Sequence, residues 1–281
     1  MRETSNNNIK VAEAFLPNCK DTVLRVRREY PVTDGYKSIT VAVTTAPRTD
    51  CTLAYCTASI EACGWQPIIF AEPGATETGY QTFVNEKRLG IWHNWLTACR
   101  WAIANGGTEY IMTVQDDSLF HPGSKVLADR MKWPIDAGFV SLYTPKHYSV
   151  LNKNPNTLRH SGINKIGTKC LWGACAMIFK TEVLERVLES PRVPAWFGYH
   201  TRSRDPAIME RRRADTSLVA NSDTVIGKIL NDMQLGMYFV EPSAVQHIAK
   251  HSTISHGGNE GNRNCFPCAD FDKPLLKQVW G

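Results

Sequence analysis

The sequence predicts an α/β protein: one domain built on a mostly parallel β-sheet with helices on both faces. Three observations carry that expectation. The chain has 281 residues, 43% hydrophobic and 21% charged, which is enough to bury a large core without a disulfide or metal. Short β-branched runs alternate with segments of helical spacing, as they must when parallel strands are joined by helical crossovers. One apolar run ends abruptly in two adjacent carboxylates, Asp116 and Asp117, and open α/β sheets bind their ligands beyond the carboxyl ends of the strands.

The elements follow in order. Residues 1–37 are mixed and polar, with one short helical patch at 11–15, and are read as an N-terminal extension. Residues 38–45 (SITVAVTT) are β-branched and stop at Ala46-Pro47-Arg48, a strand then a loop. Residues 52–63 place Leu53, Cys56, Ile60 and Cys63 at helical intervals, with Gly64 where a C-cap belongs. Residues 66–71 form a second strand, closed by Glu72-Pro73-Gly74. Residues 89–104 are a helix on the spacing of Ile91, Trp92, Trp95, Leu96, Cys99 and Ile103, ended by Asn105-Gly106-Gly107. A third strand spans 110–114. The remaining elements are a helix at 124–131, strands at 138–143 and 175–179, a helix at 182–188, and a helix then a strand within 221–240. Residues 146–169 and 190–220 break this rhythm, and long irregular segments in a compact domain are commonly functional.

Composition sets limits. The longest apolar run, residues 170–179, is far short of the roughly 20 residues that span a bilayer. Thirty-two basic against 27 acidic residues is a mild excess that does not by itself indicate a polyanion partner. The opening MRETSNNNIK lacks the basic-then-apolar pattern of a secretory leader. The nine cysteines are an odd set, with Cys56, Cys63, Cys99 and Cys175 in apolar segments. Buried thiols of this kind suit a reducing cytoplasm, the host's if the protein is viral. Searches for a Walker A loop, G-x-G-x-x-G after a strand, H-E-x-x-H and G-x-S-x-G find nothing.

Asp116 and Asp117 repel each other unless something positive lies between them. Hard divalent cations take carboxylate oxygens and keep substrate phosphates as further ligands, so the pair suits a metal–diphosphate site; a solvated turn or helix cap is the alternative.

The order of these pieces resembles the GT-A glycosyltransferases: a strand, a Pro-Arg loop, a helix, a strand with an acidic end, an Asn-bearing helix, then an apolar strand into Gln115-Asp116-Asp117, similar to the DXD motif. Leu171-Trp172-Gly173-Ala174-Cys175-Ala176 is similar to the family's glycine-bearing acceptor-side loop. Asn221-Ser222-Asp223 lies where inverting members carry an acidic base, and the stretch from Pro242 to His247 looks like a C-terminal histidine segment. The likeness covers residues 38–255, with 256–281 as a tail packed on the core. It implies a GT-A-like, Rossmann-like fold and a hexosyl- or pentosyltransferase using a nucleotide-sugar, a UDP-sugar first. Asp117 and His247 would hold Mn2+ or Mg2+, and Asp116 would meet the donor ribose or metal-bound water. Thr45, Arg48, Glu72, Asn94 and Gln115 would line the donor, Trp172 and Gly173 the acceptor, and Asp223 would be the base. The first motif position is Gln instead of an acid, and the base position reads Ser222-Asp223. Asn221, Ser222 and Asp223 also suit plain helix capping.

His247 and His251 would share a face on a helix, and Cys265-Phe-Pro-Cys268 follows. Together they have the ligand types of a structural Zn2+ site, an alternative use of His247 and the basis of a second functional class, a zinc-stabilised nucleic-acid-binding protein without catalysis. Lys146, Lys153, Arg159, Lys165 and Lys169 form one basic stretch and Arg211, Arg212 and Arg213 another. Either they meet phosphates or they form a solvated basic face. With no leader or anchor expected, the acceptor reading is a 5-hydroxymethylpyrimidine such as 5-hydroxymethylcytosine in DNA, as in phage-type DNA glycosyltransferases. A cytosolic glycan, lipid-linked sugar or protein is the alternative, and no membrane partner is expected.

Overall fold

The structure, a computed structural model, describes residues 37–48, 52–76, 78–145, 162–166, 171, 173–195, 210 and 222–249. The elements in chain order are β1 (Ile39–Thr45), α1 (Thr52–Cys63), β2 (Pro67–Ala71), β3 (Thr82–Val84), α2 (Gly90–Asn105), β4 (Tyr110–Gln115), β5 (Ser118–Phe120) and α3 (Ser124–Arg130). They continue with β6 (Ala137–Ser141), β7 (Ile163–Ile166), β8 (Ala176–Lys180), α4 (Thr181–Glu189), α5 (Arg192–Ala195), α6 (Ser222–Asp232), β9 (Gly236–Val240) and β10 (Val245–His247).

Eight strands form one sheet in the order β3-β2-β1-β4-β8-β6-β9-β7, and β5 pairs with β10 in a separate ribbon. β1 pairs in parallel with β2 and β4, β2 with β3, and β6 with β9. β8 runs antiparallel to β4 and β6, and β7 antiparallel to β9. The sheet is therefore mostly parallel, as the sequence predicts, with two reversed strands. The chain leaves β1 toward β2 and β3, then returns to place β4 on the other side of β1. The loops after β1 and β4 thus diverge at a reversal of strand order, where open α/β sheets have their ligand crevice.

Alternation along β1 explains the two-sided core. Val41 and Val43 face α1, which contributes Leu53, Cys56, Ile60 and Cys63, while Ala42 faces α2 with Trp92, Trp95, Leu96 and Cys99. On the second face Trp92 stacks on Trp95 at 5.3 Å, and Phe179 of β8 lies 6.3 Å from Trp95 and 5.6 Å from Phe139. The four described cysteines, Cys56, Cys63, Cys99 and Cys175, are buried, as expected of small apolar side chains.

α1 has the predicted bounds. Gly64 takes φ +92, the left-handed conformation of a helix C-cap. β3, β5, β7 and β10 have three or four residues each, too few for a period to declare itself, and the sequence reading misses them. His247 lies in the strand β10, so the helical face on which it and His251 would line up does not form at His247. No described helix is long and apolar enough to cross a membrane. The N-terminal extension up to residue 36, the tail at 256–281, and most of both basic segments lie outside the described residues.

Candidate active site

β4 and the ribbon after it build the site. β4 is buried along Tyr110–Val114 and delivers Gln115, Asp116 and Asp117 at its carboxyl end. The Asp116 amide donates to the Thr44 carbonyl, 3.2 Å, which ties the turn to the end of β1. Both carboxylates are buried, Asp116 at 2% and Asp117 at 5% exposure. Two buried charges need partners, because an unpaired buried carboxylate costs several kcal/mol.

Arg48 is the shared partner. Its Nε donates to Asp116 Oδ2 at 3.0 Å, and its Nη2 lies 2.7 Å from Asp116 Oδ1 and 2.9 Å from Asp117 Oδ2. Thr45 Oγ1 donates to Asp116 Oδ2 at 2.6 Å. The loop after β1 thus clamps the loop after β4 across the strand-order reversal. On the other side His247 Nε2 is 3.2 Å from Asp117 Oδ2. The ribbon sets this contact: His247 pairs with Ser118, and the Ile248 amide donates to the Asp117 carbonyl at 2.8 Å.

Burial and the neighbouring Asp117 charge push the Asp116 carboxyl up to about 6, against the pull of Arg48 and Thr45. Burial pushes Asp117 the same way, but His247 and Arg48 outweigh it and hold that carboxyl down to about 2. At neutral pH Asp117 is the firmly ionised member.

The donor set fits a divalent cation. The ligand atoms of Asp117, Cys175 and His247 lie within 4.8 Å of one another. Asp117 Oδ1 and His247 Nδ1 are buried with no hydrogen-bond partner, a carboxylate acceptor without a donor and a ring nitrogen without a mate. The resemblance names Asp117 and His247 as metal ligands, whereas the sequence presents Cys175 only as a buried thiol. Antiparallel pairing of β4 with β8 brings Cys175 in: its carbonyl accepts from the Gln115 amide at 3.0 Å and from Ser118 Oγ at 2.9 Å. Its Sγ contacts Gln115 Oε1 at 3.8 Å.

Asp223 opens α6 and reaches the glycine loop. Its Oδ2 accepts from the Gly173 amide at 3.0 Å, and its Oδ1 from the Thr224 amide at 2.8 Å. Gly173 has φ +82, and a Cβ there would sit 2.7 Å from the Tyr143 ring, itself 6.4 Å from the His247 ring. Gly173→Ala combines a strained φ with a clash in a packed wall, and is expected to cost about 2 kcal/mol in urea denaturation.

The other predicted donor residues, Asn94 and Glu72, are buried beside the carboxyl ends of β1 and β2. Asn94 Nδ2 donates to the Phe70 carbonyl at 2.9 Å and lies 3.4 Å from that of Thr45, while its Oδ1 accepts from Asn85 Nδ2 at 3.0 Å. Glu72 Oε2 accepts the Leu89 amide ahead of α2, and its Oε1 is buried with no partner. Asn94→Ala should lower stability by about 2 kcal/mol, since buried backbone acceptors lose their donor; unchanged unfolding would show these bonds to be incidental. Lys165, on the edge strand β7, pairs with Asp136 at 2.5 Å. Trp172, Lys146, Lys153, Arg159, Lys169, Arg211–Arg213, His251, Cys265 and Cys268 lie outside the described residues.

No protein-family model matches the chain, and no curated protein does. Among solved structures the chain is similar to GalNAc-T7 with UDP, GalNAc and Mn2+: 8% identity, TM-score 0.47, over 77% of this chain and 45% of that one. The chain thus spans less than half the length of that protein, and so slight an overlap decides nothing about chemistry.

Proposed function

We propose that the chain is a divalent-cation-dependent glycosyltransferase that moves a sugar from a nucleotide-sugar, a UDP-sugar first, to an acceptor hydroxyl with inversion. The observation that carries this reading is the buried Asp116–Asp117 pair at the carboxyl end of β4, flanked by Arg48 and His247 at the sheet's reversal point. When bound by Asp117 and His247, Mn2+ or Mg2+ would supply positive charge against the donor diphosphate. Arg48 adds a fixed positive charge beside it. Glu72 Oε1, a buried acceptor without a donor, is the group suited to a ribose hydroxyl. Asp223, held by the Gly173 amide, accepts the proton of the attacking hydroxyl.

For the acceptor, a 5-hydroxymethylpyrimidine in DNA is our first reading, supported by the two basic stretches of sequence; a glycan, lipid-linked sugar or protein hydroxyl is the alternative. A thermal-shift screen of nucleotide-sugars with and without Mn2+ tests the donor half, because a ligand that binds only the native state raises its melting point. A donor that stabilises only with cation is expected; no response to any donor overturns the reading. Asp223→Asn should abolish transfer and leave donor stabilisation intact. Transfer to hydroxymethylated DNA should fall steeply with added salt, and transfer to a glycan alone would replace the DNA acceptor.

A further inference from the structure

The cation reading above names an oxygen and a nitrogen ligand, but the third side chain at the same point carries sulfur. We infer that Cys175 is a third protein ligand of this centre and biases it toward a thiophilic divalent cation such as Zn2+ over Mg2+. The inference rests on the cation site proposed above and adds the identity of the metal.

Geometry places the sulfur. Cys175 Sγ lies within 4.8 Å of the ligand atoms of both Asp117 and His247. Ligands about 2.0–2.3 Å from a common ion stand roughly 3.3–3.8 Å apart in a tetrahedron, so small side-chain movements close the set. Two hydrogen bonds to the Cys175 carbonyl, one from the Gln115 amide and one from the Ser118 hydroxyl, fix the backbone of this residue against β4 and β5. A second, independent observation points to a ligand: Asp117, 5% exposed, keeps Oδ1 without any hydrogen-bond partner.

Charge favours the same answer. Arg48 and Asp116 cancel each other as a buried ion pair. A dication beside them is matched by the Asp117 carboxylate and the thiolate that Cys175 becomes on giving up its proton as the metal approaches, so the buried cluster closes without net charge. Binding through sulfur displaces the thiol proton to solvent. Three protein ligands of mixed type leave an open position for a substrate oxygen, whereas Mg2+ seeks six oxygens and holds thiolate poorly.

The test is the absorption spectrum of the full chain titrated with Co2+, a coloured stand-in for Zn2+. A near-ultraviolet sulfur-to-cobalt band is expected together with the visible cobalt bands. It should vanish in Cys175→Ser and persist in Cys56→Ala, which removes another buried thiol close to Gln115. Zn2+ affinity should fall at least about 10-fold in Cys175→Ser, and Mn2+ affinity by less than about 3-fold. Visible cobalt bands without a sulfur band, or a sulfur band that survives Cys175→Ser, would overturn the ligand assignment while leaving the cation site standing. Failure of Co2+, Zn2+ and Mn2+ alike to bind would overturn the cation site itself. The sulfur band should also persist in the double variant Cys265→Ser/Cys268→Ser, which alters the other candidate thiol pair; its loss there would overturn the assignment, so a misfolded Cys175→Ser protein does not remove the test.

Discussion

Asp117→Asn is expected to fold normally and to bind divalent cations at least about 100-fold more weakly, with transfer lost in proportion. The substitution keeps the shape of the side chain. Oδ2 is the atom that accepts from Arg48 and meets His247, and the asparagine oxygen can remain there and serve both. The amide nitrogen then occupies the place of Oδ1, the carboxylate atom that has no partner. A lone acceptor becomes a lone donor, and a donor repels a cation where an acceptor attracts it. Unfolding by urea should show a loss of about 2 kcal/mol near neutral pH, because the hydrogen bonds at Oδ2 survive but the ionised carboxylate that His247 and Arg48 hold down to about 2 is gone. Isothermal titration with Mn2+ and Zn2+ measures the binding loss. Unaltered affinity would show that any bound cation sits elsewhere and would remove the basis of the proposed transfer chemistry.

This site was only partly legible in the sequence, and the reasons are physical. Asp116 and Asp117 stood out because adjacent carboxylates at the end of an apolar strand are a local conflict, visible without any tertiary information. Helix α1 was equally plain, since twelve residues give the apolar period room to repeat and Gly64 marks its end. The type and place of Arg48 were read from the resemblance, but not its partners, which lie 68 and 69 residues away and meet it only because β1 and β4 are neighbours in the sheet. Cys175 was invisible as a ligand because its approach depends on β8 running antiparallel to β4, a register no local pattern encodes. His247 was named through resemblance, but the strand that positions it was not foreseen, since β10 has three residues and is defined by its pairing with β5. What a sequence reveals readily is a local rule kept or broken; what it conceals is which distant rule-breakers compensate one another.

Arg48→Met should be the most destabilising single change at the site, by about 3 kcal/mol near neutral pH. Methionine retains much of the apolar stem but removes the guanidinium that meets Asp116 through two nitrogens and Asp117 through one. Two adjacent buried carboxylates are then left with Thr45 and His247 as their remaining polar contacts. The protein has one response available, which is to protonate Asp116, already pushed up to about 6 with Arg48 present. A carboxyl whose folded pKa lies above its unfolded value favours the folded state at low pH, and that contribution is lost as pH rises from about 4 through the folded value. Removing the guanidinium raises the folded value further. The deficit of the variant should therefore be small in acid, grow through about pH 6, and be largest at neutral pH and above. A cation at Asp117 restores part of the missing positive charge, so Zn2+ or Mn2+ should raise the melting temperature of Arg48→Met more than that of the unaltered chain. Equal shifts in the two proteins would mean that the cation and the guanidinium do not share the same negative field, and that Arg48 clamps two loops without standing beside a metal.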